Sequence, residues 1–246
     1  MARGRHAPPS IDPHGPDKSA QVRRMFSAIA PRYDLLNHWL SLNLDRRWRR
    51  RAVDRLGWER APAGRYLDAC AGTFDLALEL ARRRAFRGGV VATDFSRAML
   101  REGRSKIAGQ PVRPACADTL RLPFGDASFD GAMVAFGIRN LTDSAAGFRE
   151  LGRVLRPKSH LVVLDFATPR WEPWRSVYLL YFTKVLPVIG RWVSQHNFAY
   201  RYLPESVLAF ETPQALGTAL AANGFAAVEV RRWAGGAVTL ITGERS

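Results

Sequence analysis

Residues 65–75 read Arg65-Tyr66-Leu67-Asp68-Ala69-Cys70-Ala71-Gly72-Thr73-Phe74-Asp75. A short run over 65–69 (RYLDA) passes a turn with one glycine and enters an amphipathic stretch over 74–84. That is a strand, a tight turn and a helix. The unit recurs downstream. Residues 89–93 (GVVAT) form a second strand ending at Asp94, with Ser96 as N-cap of the next helix and Met99 and Leu100 on its buried side. Residues 112–115 form a short third strand leading to Asp118. Residues 131–135 form a fourth, which runs out into Phe136-Gly137-Ile138-Arg139-Asn140. A helix over 144–154 stops before Pro157, and 160–165 form a fifth strand. A helix over 213–223 is closed by Gly224. Residues 227–233 and 237–242 flank Gly235-Gly236 as a terminal hairpin. Strand–helix alternation predicts an α/β fold, a mainly parallel seven-stranded sheet with helices on both faces and an antiparallel C-terminal edge.

Outside this frame, residues 1–18 carry Arg, His, Pro and Gly without an apolar stretch, and read as a disordered basic tail. Residues 19–246 read as one domain, a size that 246 residues suit. Its N-terminal helices cover 19–60, with Met25, Phe26 and Ile29 at helical spacing before Pro31. Residues 170–210 are aromatic and irregular, and read as a lid. The best apolar run, 177–193, is broken by Lys184, Pro187 and Arg191 and is too polar to span a bilayer. Cys70 and Cys116 have neither disulfide nor zinc spacing, so reduced thiols and no metal are expected. The formal charge of +15 favours an anionic partner, nucleic acid or an anionic membrane surface. The densest run, Arg46-Arg47-Trp48-Arg49-Arg50-Arg51, reads equally well as a solvated helix face.

In such a sheet the ligand sits at the carboxyl ends of the strands. A pyrophosphate-binding turn wants G-x-G-x-x-G, and here one glycine stands between Asp68 and Asp75. Carboxylates repel a pyrophosphate but suit the amino group and sulfonium of S-adenosylmethionine. Asp94, 22 residues beyond Gly72, suits ribose hydroxyls, and Asp118 suits the adenine amine, with Thr119 beside it. Acids at strand ends also cap helices, so the weight lies on three of them at successive ends.

Four segments carry a resemblance. They are Phe26-Ser27-Ala28-Ile29-Ala30-Pro31-Arg32-Tyr33-Asp34-Leu35-Leu36-Asn37; Asp94-Phe95-Ser96 with Met99-Leu100; Leu122-Pro123-Phe124 through Ser128-Phe129-Asp130 to Ala135-Phe136-Gly137-Ile138-Arg139-Asn140; and Ala199-Tyr200-Arg201-Tyr202-Leu203-Pro204-Glu205-Ser206. Together they resemble the menaquinone/ubiquinone C-methyltransferases, over roughly residues 20–243. The resemblance implies a Rossmann-like class I methyltransferase fold and methylation of demethylmenaquinol or a ubiquinol precursor in isoprenoid quinone synthesis. It implies cofactor contacts at Thr73, Asp94, Asp118 and Thr119, and another at Ala135, where the family commonly has serine. Two further departures stand out: Phe74 replaces a usual glycine in the cofactor turn, and Lys158-Ser159 replaces two glycines. A phenylalanine strains a left-handed turn or reshapes it, with its ring near the methionine end of the cofactor.

The chemistry expected is in-line methyl transfer to a ring carbon made nucleophilic by deprotonating a quinol hydroxyl. Arg139 and Asn140, at the end of the fourth strand, are the candidates to stabilise a phenolate and orient a hydroxyl or water. For Arg139 the alternative is a structural ion pair. Tyr33, Tyr200 and Tyr202 are candidates for the substrate pocket, and His196 is a base by pKa alone. A membrane-dissolved acceptor, a basic chain and no spanning helix predict a cytoplasmic protein in peripheral contact with anionic lipid at the inner face of the membrane. A methyltransferase for RNA or another small molecule is the rival, but no N-P-P-Y-type motif or RNA-binding module is present, so nucleic acid is not expected. A non-catalytic partner that kept the fold is the other.

Overall fold

The computed structural model describes residues 15, 17–41, 43–185 and 197–246, and leaves out the side chains of residues 36, 37, 39, 40, 185 and 197–201. Seven strands form one sheet: β1 (Arg65–Ala69), β2 (Gly89–Asp94), β3 (Val112–Cys116), β4 (Phe129–Ala135), β5 (Leu155–Phe166), β6 (Phe225–Trp233) and β7 (Val238–Arg245). Their order is β3-β2-β1-β4-β5-β7-β6. The first five are parallel, and β7 inserts antiparallel between β5 and β6.

The helices are α1 (Lys18–Ile29), α2 (Tyr33–Leu40), α3 (Leu44–Val53), α4 (Asp75–Ala81), α5 (Arg97–Glu102), α6 (Ser144–Val154), α7 (Trp174–Leu180), α8 (Asn197–Leu208) and α9 (Pro213–Ala222). One face of the sheet is covered by α3, α4 and α5 through Trp48, Val53, Leu80 and Leu100. The other is covered by α6 and α9 through Phe148, Leu151, Leu216 and Leu220. Central strands buried on both faces explain why β1 and β4 read as near-continuous apolar runs. The sequence order reverses between β1 and β4, and a crevice opens at that switch point.

Three expectations are corrected here. Lys18 is not tail: it starts α1, is buried, and donates Nζ to the carbonyls of Arg139 (3.2 Å) and Leu141 (2.6 Å). Strand five starts at Leu155 and runs through Pro157. The register slips between Phe129 and Gly131, where Lys158 takes a φ of 66° and Ser159 Oγ donates to Arg156 O at 2.6 Å. That positive φ falls at one of the two positions where the resemblance leads one to expect glycine. The 170–210 segment is helical rather than irregular where it is described. After α7 comes a wide π turn over Tyr181–Val185, and α8 follows later, because Tyr178, Phe182 and Val207 pack together over Ala237. The arginine run forms α3, where Trp48 and Arg49 are buried and Arg46, Arg47, Arg50 and Arg51 are exposed.

Candidate active site

The loops after β1, β2 and β4 meet at the switch point around a cleft of about 630 Å³, counted out to its mouth. Gly137 lets two of these loops touch, since a Cβ there would stand 2.3 Å from Cys70 Cβ. Gly72, Asp94, Asp118, Thr119, Ala135 and Asn140 all line the cleft, together with Tyr33 from α2. The sequence thus singled out residues that the fold does bring together.

Asp68 is 1% exposed and lines a smaller adjoining cavity with Thr73 and Asp75. Its Oδ2 accepts from Ala77 N at 2.9 Å, at the start of α4. Its Oδ1 is buried with no partner among the described residues, and burial pushes the carboxyl up to about 8. An orphaned buried carboxylate oxygen calls for a cation. Asp94 Oδ2 accepts from Gly72 N (2.9 Å) and Oδ1 from Ser96 N (2.8 Å); burial raises it to about 6. The same Ser96 caps α5, accepting from Met99 N. Asp118 is exposed, and its Oδ1 accepts from Leu120 N at 2.9 Å. Thr119 Oγ1 lies 3.3 Å from Cys70 Sγ, whose thiol burial holds protonated with a pKa of about 12. Three acids around a nucleoside-sized cleft, one with an unmet oxygen, fit a cationic nucleoside such as S-adenosylmethionine.

Phe74 keeps the glycine geometry of the turn, with a φ of 73°. Its ring lines neither the cleft nor the adjoining cavity. It is fully buried in the core against Gly103, where a Cβ would come 2.7 Å from Phe74 Cδ2 and 2.8 Å from the Thr73 backbone. A small residue on the opposite helix end makes room for the ring, so the burial of a large apolar group offsets about 1–2 kcal/mol of left-handed strain.

Side chains not anticipated in the sequence lock the N-terminal helices to this turn. Thr73 Oγ1 donates to Asp34 Oδ1, so the expected cofactor contact at Thr73 is at present made with α2. Lys106 Nζ donates to Asp34 (2.8 Å) and to Asp75. Arg49 pairs with Asp45 and stands 3.6 Å from Asp75, and His38 Nδ1 lies 2.8 Å from Asp45 Oδ2. His38, Asp45 and Asp75 therefore cluster as metal ligands would, but Arg49 and Lys106 already meet their charge. Burial opposes ionisation of Asp45, yet Arg49, Ser41 and His38 together hold it below the usual carboxylate range.

At the end of β4 the sequence candidates separate. Asn140 faces the cleft and its Oδ1 accepts from Tyr202 Oη at 3.0 Å. Arg139 turns away from it. Its Nη1 donates to Asp165 Oδ1 (2.7 Å) and Phe136 O (2.6 Å), and its guanidinium lies 5.5 Å from the Phe166 ring centre. Asp165 is fully buried, so the pair is closed to solvent. In this region the buried donors Arg139 Nε and Tyr178 Oη have no hydrogen-bond partner among the described residues, and burial pushes the Tyr178 hydroxyl far above its usual pKa while the Arg139 charge opposes that rise. Phe136 stacks on Phe166 at 4.6 Å and forms the apolar wall between this pair and the cleft. The side chain of Tyr200, and all of His196, lie outside the described residues.

Comparisons with known proteins extend over the whole of this frame. The profile of the "ubiE/COQ5 methyltransferase family" matches residues 16–245. The chain is 43% identical over 233 residues to the "Ubiquinone/menaquinone biosynthesis C-methyltransferase UbiE" of Geobacter sulfurreducens, covering 93% of this chain and 90% of that one. It is 51% identical over 203 residues to the "Demethylmenaquinone methyltransferase" of Thermus thermophilus, covering 82% and 91%. Among solved structures, a SAM-dependent methyltransferase of Thermotoga maritima superposes with a TM-score of 0.62 at 18% identity over 91% of this chain and 99% of that one. Geranyl diphosphate methyltransferase in complex with SAM does so at 0.58 and 18%, over 83% and 86%. At that identity the structures show the fold alone.

Proposed function

The chain belongs to the ubiE/COQ5 methyltransferase family, and from that premise we infer that it is an S-adenosylmethionine-dependent C-methyltransferase that methylates demethylmenaquinol, or a ubiquinol precursor, in isoprenoid quinone biosynthesis. The observation that carries the reading is the match over residues 16–245, which takes in every acid of the cleft. The higher identity to the Thermus demethylmenaquinone methyltransferase makes the naphthoquinol the first acceptor to test.

Bound S-adenosylmethionine supplies an electrophilic methyl group on a sulfonium. We read the following residues as those that would hold it. Asp68 Oδ1 would receive the amino group, Asp94 the ribose, and Asp118 and Thr119 the adenine edge; the unpartnered Asp68 oxygen and the shared cleft support this. Gly72 and Ala135 offer only backbone and a methyl, so they line the cleft without adding a polar side chain. Thr73 acts through Asp34 and holds the turn in place.

The quinol ring is read as lying against Phe136, with Tyr33 opposite. Arg139 Nε and Tyr178 Oη lie behind this wall; we read the Phe136 ring as swinging aside when the quinol binds, so that a quinol oxygen would meet both unmet donors, and donors aimed at an oxygen favour its phenolate. Arg139 is held for this by Asp165, and Asn140 is oriented by Tyr202. Phenolate formation raises electron density at the ring carbon, and the surrounding apolar wall excludes water.

No described helix is long and apolar enough to cross a membrane. The acceptor is membrane-dissolved and the chain carries a net charge of +15, so we read its place as the inner face of the cytoplasmic membrane, in peripheral contact with anionic lipid. Transfer of labelled methyl to short-chain demethylmenaquinol and to a short-chain ubiquinol precursor, side by side, tests the function. Labelling of neither, with the cofactor bound, sinks it.

A further inference from the structure

A second cleft opens beyond β5, on the lid side of the sheet, with a volume of about 860 Å³ out to its mouth. Arg170, Arg175 and Arg232 line it, with Phe166 and Leu208. Arg170 Nη2 and Arg232 Nη2 both donate to one neutral acceptor, Gln214 Oε1, at 3.0 and 2.7 Å. Two cations are thereby held together with no carboxylate between them. Arg232 Nη1 is buried and has no partner among the described residues, and burial together with the Arg170 charge lowers the Arg232 pKa. Among the described residues Arg175 pairs with Glu172, 3.8 Å away, and both side chains are about half exposed, so that pair contributes little. Among the described residues lining the cleft one is acidic, Glu211, and its Oε1 accepts from Ser144 Oγ at 2.8 Å. An oxyanion would relieve the repulsion and meet the orphaned donor. Planar guanidinium groups suit a phosphate in particular.

Exposed apolar side chains accompany the cleft in the chain: Leu208 lines it, and Trp171, Val177 and Leu180 flank Arg170 and Arg175 in sequence; Trp171, Val177, Leu180 and Leu208 are 69%, 54%, 62% and 49% exposed. Val177 and Leu180 share one helix face, which Lys184 continues at the next turn. A free phosphate ion would have no use for such side chains, whereas a bilayer interface meets apolar side chains and basic groups at one depth.

We propose that Arg170, Arg175 and Arg232 bind the phosphate of an anionic phospholipid headgroup, and that Trp171, Val177, Leu180 and Leu208 enter the acyl boundary around it. The site faces the reaction cleft through two rings: Phe166 lines the lipid cleft, and its stacking partner Phe136 lines the reaction cleft. A membrane seated there meets the protein where an isoprenoid tail would leave it. The choice of lipid as the phosphate source rests on the quinol reading; the anion site itself does not.

The test is co-flotation of the full chain with vesicles of phosphatidylcholine alone or with about one third phosphatidylglycerol, near 0.1 M salt. Wild type is expected on the anionic vesicles and off the neutral ones. R170Q/R232Q should partition about thirtyfold more weakly, the attraction of two basic side chains at an anionic surface. R82Q/R84Q removes the same charge at the opposite end of the sheet, from exposed residues, and should change partitioning by about threefold or less. W171S/L180S should weaken it without changing its dependence on anionic lipid. The proposal is overturned if R170Q/R232Q loses no more than R82Q/R84Q, or if wild type ignores both vesicles. It is equally overturned, as a soluble phosphate site, if inorganic phosphate raises the melting temperature of wild type alone while vesicles do not bind. Cofactor calorimetry on each variant reports folding. Vesicle binding without methyl transfer to either quinol would remove the quinol reading and leave this site standing.

Discussion

Replacing Asp68 by Asn should make the free protein more stable and the cofactor complex weaker. In the free chain burial pushes Asp68 up to about 8, while in an unfolded chain it titrates near its ordinary value of 3.8. Between those values the folded state holds a proton that the unfolded state has released, so raising the pH favours unfolding. At pH 7 the penalty is about 4 kcal/mol, some three pH units at 1.36 kcal/mol each. Asn carries no such penalty. Its carbonyl keeps the bond from Ala77 N, and its amide lacks an acceptor where Oδ1 had none, which costs about 2 kcal/mol. The net gain is roughly 2 kcal/mol, or about 4–8 °C in Tm for a chain of this size. The wild type should lose stability from about pH 4 to about pH 8, and the variant should lose less of it. Cofactor binding moves the other way. Losing a charge-assisted bond to a buried carboxylate weakens affinity about ten- to hundredfold. At pH 7 wild type should also release about 0.9 proton on binding, because its carboxyl must ionise to meet an amino cation, and the variant none. Scanning fluorimetry across pH, and calorimetry in buffers of different ionisation enthalpy, read each quantity. An Asp68→Asn protein that is less stable and binds the cofactor with unchanged affinity and proton release would refute the reasoning.

Other outcomes follow from the same contacts. Phe74→Gly relieves the strained φ but empties a fully buried ring position, so chemical denaturation should show a loss of about 2–4 kcal/mol, with cofactor affinity changed little. Gly103→Ala pushes a Cβ into Phe74 and the Thr73 backbone, and should weaken both stability and cofactor binding in the same two assays. Asp34→Asn frees the cofactor turn from α2 and Lys106, and should raise the cofactor KM severalfold, measured by initial rates. Arg139→Ala strands the fully buried Asp165, so stability should fall by about 3–5 kcal/mol and turnover at least tenfold. Arg139→Ala combined with Asp165→Asn should restore most of the stability and none of the turnover; turnover that returns with stability would make Arg139 purely structural.

The strand frame was legible because it is written in local signals. Residues 65–69 and 144–154 match β1 and α6 residue for residue, since an apolar run bounded by a turn and a polar-capped amphipathic run need no distant partner. Ser96 as a helix cap was readable for the same reason. The acids at three strand ends were legible as a set because parallel topology brings strand ends to one edge. What sequence spacing does not encode is pairing across the fold. Asp34 meets Thr73 from 39 residues away, and Arg139 meets Asp165 across 26. Both acids had visible signals, Asp34 within the quoted A-P-x-Y-D segment and Asp165 as one more acid ending a strand, but their partners become evident only once helices and sheet are packed. The helices within 170–210 went unread because Tyr178, Phe182 and Val207 pack on Phe166 and Ala237, partners that only the packed fold supplies. Phe74 marks the limit most clearly, since the room for its ring is made by Gly103, whose own sequence neighbourhood shows no reason for it.

The most direct measurement is the position of the transferred methyl. Purified protein, carbon-13 methyl-labelled S-adenosylmethionine and reduced short-chain demethylmenaquinol are incubated, and the product is read by mass spectrometry and NMR. A quinol heavier by one labelled methyl, carried on a ring carbon with the ring proton there lost, is the predicted result. A methyl on oxygen, or no product from a protein that binds the cofactor, would contradict it.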